Sequence, residues 1–121
     1  MSSDEISKLV VQGMQEKKAL EIVLMDLRSV EHAIADFFVI CTGNSDTQID
    51  AICDSIEETV NQHAEMNPWH LEGKQNKEWI LLDYVDVVAH VFRADKRSFY
   101  AIEDLWADAV SIQVGNEQPF G

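Results

Sequence analysis

The chain has 121 residues, enough for one domain with a single real core and little more. Its 46% hydrophobic and 26% charged composition is ordinary for a soluble globular protein, no apolar run approaches the length of a membrane span, and the start MSSDEISKLV has no signal-peptide pattern. Nine Lys+Arg against 22 Asp+Glu give a net charge of −13, which argues against a direct grip on nucleic acid and suits a basic protein partner.

In DEISKLVVQGMQEKK, the residues Ile6, Leu9, Val10, Gly13 and Met14 recur at helical spacing and predict an amphipathic helix. ALEIVLMDL follows as a strand with Ile22, Leu24, Met25 and Leu27 turned inward. DFFVICTG is a continuous apolar run closed by glycine, the pattern of a strand covered on both faces. In NSDTQIDAICDSIEETVNQHAEM, Ser45 and Gln48 stand at capping-box spacing, and Ile49, Ile52, Cys53, Ile56 and Val60 form one stripe of a second helix.

NPWHLEG enters a short strand, KQNK forms a turn, and EWILLD and DVVAHVFR read as two further strands. Asp95 is placed to cap a last helix in which Phe99, Ile102, Leu105, Trp106 and Ala109 face the core. The end, from residue 111 to 121, has no sustained periodicity and is expected to fray, so the domain proper is set at residues 1–110. The order αββαβββα predicts an α/β fold in a single domain, with a mixed five-stranded sheet and flanking helices.

Several residues invite chemical readings. VICTGNSDTQ puts a Gly-Asn-Ser turn at the start of a helix, where free N–H groups attract anions. It matches neither G-x-G-x-x-G nor a Walker A motif and lacks lysine, so a plain helix cap is the favoured reading. The junction is also similar to that of nucleotidyltransferases, which hold magnesium between carboxylates that converge within a few ångströms. Here Asp46, Asp50 and Asp54 follow one helix face, and Asp83 and Asp86 flank a turn, which favours no metal and no cofactor.

The histidines form no metal-ligand spacing, and His90 alternates with Val88 and Phe92 as a strand residue. Cys41 and Cys53 read as small buried hydrophobes, in keeping with a reducing cytoplasm. On the strand EWILLD, Trp79, Leu81 and Asp83 share one face and Ile80 and Leu82 the other. Trp79 is either an exposed anchor for a basic partner or part of the core.

DFFVICTGNSDTQIDAI, followed by WHLEG, EWILLDYVDVVAHVF and RSFYAIEDLW, resembles the ribosomal silencing factor (Iojap) family over residues 20–108. The resemblance implies a non-enzymatic cytoplasmic protein with a nucleotidyltransferase-like fold, commonly a homodimer. It further implies binding to the large ribosomal subunit at its fourteenth protein, which blocks joining of the small subunit and represses translation when nutrients are short. Organellar relatives instead assist large-subunit assembly.

Carried over by position, the resemblance assigns the ribosome contact to Trp79, Leu81, Asp83 and Tyr84, with Glu72 and Asp86 beside them. His90 matches the family's strand histidine, and Arg97, Phe99 and Tyr100 its Arg-x-Phe/Tyr-Tyr segment. This chain departs from the family where Val85 replaces the usual turn glycine and where Glu31 to Ala33 replace the usual hydroxyl residues. A β-branched residue is strained at positive φ, so either the turn at Val85 keeps φ negative or packing offsets the strain.

Overall fold

The computed structural model describes residues 1–97 and 109–115. Helix α1 (Ser3–Glu16) begins with a complete capping box, in which Ser2 accepts from the Glu5 N–H and the Glu5 carboxylate reaches back to the Ser2 N–H. Strands β1 (Leu20–Asp26) and β2 (Phe37–Gly43) follow, then α2 (Asp46–Ala64), β3 (His70–Glu72), β4 (Trp79–Asp83), β5 (Val87–Arg93) and β6 (Val110–Val114). The first seven of these match the expected order. The expected last helix lies at residues outside those described.

Among the described residues the sheet has six strands rather than the expected five, in the order β3-β4-β5-β2-β1-β6. Residues 110–114, with 111–114 expected to fray, pair antiparallel with β1. Their side chains are mostly exposed, so no buried stripe betrays them in the sequence, and backbone pairing alone makes them a strand. β2 pairs β5 in parallel and every other contact is antiparallel. Lying centrally, β2 is buried at all seven positions, as its continuous apolar run requires.

Both α1 and α2 pack on one face of the sheet, against Ile22, Leu24, Phe37, Val39, Ile80 and Leu82 among others. The α2 stripe of Ile49, Ile52, Ile56 and Val60 is wholly buried there, and each such side chain contributes roughly 1.5–3 kcal/mol. The opposite face carries a second cluster, including Val23, Met25, Phe38, Ile40, Val88 and Phe92.

The two helices meet at Gly13. A Cβ there would sit 2.8 Å from the Ile56 Cα, and the Ser55 hydroxyl donates to the Gly13 carbonyl at 2.8 Å. Alanine would improve helix propensity by about 1 kcal/mol, yet it must push the two backbones apart, an overpacking penalty of roughly 1–3 kcal/mol plus a weakened hydrogen bond. Gly13→Ala is therefore expected to destabilise by about 1–2 kcal/mol in urea unfolding. An equally stable or more stable variant would disprove the tight crossing.

Candidate functional site

The β4 burial pattern follows the alternation read from the sequence. Ile80 and Leu82 are buried on the helix side, while Trp79, Leu81 and Asp83 are half-buried on the other. Cross-strand register then sets their neighbours. Glu72, Leu81 and His90 form one row across β3, β4 and β5; His70, Asp83 and Val88 form the next; Trp79 stands beside Phe92. Trp79, Leu81, Asp83 and Glu72 thus share one face. His70 and Glu72 are exposed on it, 3.0 Å apart from imidazole Nε2 to carboxylate Oε1.

Under this face lies an aromatic cluster. The Trp79 ring stacks on Phe92 at 5.3 Å between centroids, and Phe38 meets His90 edge-on at 4.6 Å. The Trp79 indole N–H donates to His90 Nδ1 at 3.0 Å, which puts the imidazole proton on Nε2. His90 is buried, its Nε2 has no hydrogen-bond partner among the described residues, and burial pushes its pKa down to about 3. The ring is neutral and its acceptor nitrogen is occupied. Trp79 accordingly serves the core and the surface at once, the two readings that the sequence left open.

Tyr84, expected at the contact, is only 3% exposed and packs in the helix-side core, its hydroxyl buried and without a partner among the described residues. Burial, then the nearby Glu57, pushes the phenol pKa upward. The period of two carries it to that side one residue past the strand end, in step with Ile80 and Leu82. Removing an unsatisfied hydroxyl relieves a desolvation penalty, so Tyr84→Phe is expected to leave thermal stability unchanged or raise it by up to ~1 kcal/mol. A marked loss would mean that the hydroxyl has a partner.

The hairpin tip resolves the question of Val85. Its φ is +75°, and the Asp86 N–H bonds the Tyr84 carbonyl at 3.0 Å, closing a strained γ-turn around it. Val85 is 58% exposed, so packing offsets little; instead its N–H donates to the Asp83 carboxylate at 2.7 Å. Glycine relieves the steric strain of roughly 1–2 kcal/mol at some entropic loss, and Val85→Gly is expected to stabilise by about 1 kcal/mol, read as a higher Tm. A lowered Tm would refute the strain.

The same contacts separate the two aspartates. Asp83 caps its own turn, whereas Asp86 is exposed and contributes its backbone carbonyl to the N–H groups of Asp36 and Phe37. Among the described residues no three His, Cys, Asp or Glu side chains are grouped to hold a metal ion. At the start of α2, Ser45 accepts from the Gln48 N–H, but the Gln48 side chain reaches Asn44 N–H instead of closing the expected box on Ser45. Its amide also donates to the carbonyls of Lys17 and Lys18, so this junction ties elements together. Cys41 and Cys53 are buried, and burial raises both thiols, Cys53 to about 12, which keeps them protonated.

Two features escaped the sequence reading. Arg97 is buried and donates to the Glu21 carbonyl at a bulge in β1, where Glu21 has a φ of +50°. Trp69, 77% exposed, is the most exposed large apolar side chain among the described residues. Its sequence signals are its position between Pro68 and a short strand and its place at the head of the WHLEG segment, neither of which states its exposure.

A family model described as "Ribosomal silencing factor during starvation" matches residues 1–120. The chain belongs to this family. It is 39% identical over 114 residues to a ribosomal silencing factor of Halalkalibacterium halodurans, covering 94% of this chain and 96% of that one. It is 30% identical over 105 residues to the chloroplastic Iojap protein of Zea mays, covering 87% of this chain and 45% of the longer maize protein. A crystal structure of a Chromobacterium violaceum protein superposes with a TM-score of 0.82 at 30% identity over the full length of both chains. Family membership thus agrees with the resemblance read from the sequence. No helix among the described residues is long and apolar enough to cross a membrane.

Proposed function

We propose that this protein is a ribosomal silencing factor, which binds the large ribosomal subunit through its fourteenth protein and so blocks joining of the small subunit when nutrients are short. The family match over residues 1–120 carries this reading. The net charge of −13 supports a basic ribosomal protein as target, since opposite potentials speed encounter and fix orientation. The proposed contact comprises Trp79, Leu81, Asp83 and Glu72 on the sheet face and Asp86 at the hairpin tip, with Tyr84 beneath as support. A cytoplasmic homodimer belongs to the same reading.

A regulatory binding protein fits the local chemistry better than a nucleotidyltransferase does. Asp83 is engaged by its own turn, and at the start of α2 the Gln48 and Asn44 N–H groups are engaged by the Ser45 and Gln48 side chains. The test mixes purified protein with separated subunits and sediments them under joining conditions. Fewer whole ribosomes are expected as the protein is added. Undiminished joining at saturating protein would remove the reading. Glu72→Lys, at an exposed position, is expected to weaken subunit binding without altering the fold.

A further inference from the structure

The end strand β3 has features that the sheet-face contact does not use. Among the described residues it closes one side of the sheet, with β4 on its inner edge only. Trp69 precedes it and is held there by its N–H, which donates to the Asp83 carbonyl at 2.7 Å. The indole itself is 77% exposed, and Leu71, two residues on, is also exposed. A rigid aromatic side chain next to an open strand edge offers both backbone pairing and an anchor.

The charge around this edge selects the partner. Residues 62–73 and 79–92, which build this end of the sheet, contain no lysine or arginine, and their carboxylates are Glu65, Glu72, Asp83 and Asp86. The nearest cations in sequence, Lys74 and Lys77, are turned to Asp54 and Asp50 of α2. A polyanion is repelled, and a second copy of the chain would bring the same acidic edge against this one. An arginine side chain, in contrast, can stack on the Trp69 ring and pair with a neighbouring carboxylate. Pro68 and the three-residue length of β3 discourage long pairing between edges without covering the indole.

We propose that the β3 edge takes up an extended, arginine- or lysine-containing segment of a partner protein as an added strand, with Trp69 as its anchor. The strand pairing supplies the backbone bonds, and the carboxylates fix which side chains are accepted. This edge adjoins the Trp79 and Leu81 face and shares Glu72, Asp83 and Asp86 with it, but its anchor Trp69 and the open strand edge lie outside that contact, and the proposal does not depend on the ribosome reading.

The test titrates the full chain with a blocked octapeptide alternating arginine and valine, followed by amide NMR. Two control peptides replace every arginine by glutamate or every valine by proline. Expected are shifts confined to His70, Leu71, Glu72 and the Trp69 indole, no binding of either control, and at least ~10-fold weaker binding by Trp69→Ala. Because Trp69 is exposed, that variant should fold; Leu71→Ala supplies a second, milder variant expected to weaken binding in the same direction. Absence of binding, equal binding of the proline control, shifts spread over α2, or affinity unchanged in Trp69→Ala would each overturn the proposal.

Discussion

Trp79→Ala is expected to destabilise the fold by about 3 kcal/mol, far more than a surface contact residue would. The loss has two sources. Removing the indole takes one stacked neighbour from the Phe92 ring, and it leaves His90 Nδ1 without the N–H that satisfies it. Since His90 Nε2 has no partner among the described residues, the variant would bury an imidazole with neither nitrogen bonded to any of them. Trp79→Phe separates the terms, because it retains an aromatic ring but not the donor, and about 1–2 kcal/mol should be lost. Urea unfolding at neutral pH measures both. If Trp79→Ala unfolds at the same urea concentration as the parent chain, the cluster does not hold this part of the sheet. Loss of ribosome binding by Trp79→Ala would therefore be uninformative without that control, and Glu72→Lys is the cleaner probe of the contact.

Acid is expected to unfold the protein through His90. Its pKa falls from the ordinary 6.5 to about 3 in the folded chain because burial disfavours the imidazolium. Between these values the unfolded chain binds the proton and the folded chain does not. Stability is therefore full above about pH 6.5 and declines as pH falls toward 3, by as much as ~5 kcal/mol. Protonation at Nδ1 would also set one N–H against the Trp79 N–H, breaking the bond between the rings. Asp26, whose carboxyl is held below its usual range chiefly by the Arg28 guanidinium, loses its contribution in the same acidic direction. His90→Leu isolates the histidine: its stability should vary less between pH 6.5 and 4 than that of the parent. An identical pH profile in the variant would show that His90 does not drive the acid response.

Much of the fold is written in short-range pattern. The α2 stripe, the continuous apolar run of β2 and the alternation in β4 each state a period and a burial that the structure repeats. Alternation also places Trp79, Leu81 and Asp83 on one face, and it would have placed Tyr84 on the other had it been carried one residue further. The sixth strand had no such signal. Val110 and Ile112 are exposed at an edge, and what makes them a strand is the backbone of β1, which lies nearly ninety residues earlier. The pairing of His90 with Trp79 is equally hidden, since it depends on β4 and β5 meeting in one particular register.

By itself, then, the sequence determined the family, the charge that suits a basic partner, and the identity of most elements, because these depend on residues close together in the chain or on the whole composition. Only the tertiary structure decided that Tyr84 is buried, that Val85 bears positive φ against the Asp83 carboxylate, and that Trp69 stands uncovered beside an open strand. Each of these turns on what lies across from a residue in space, and register and layer packing set that relation.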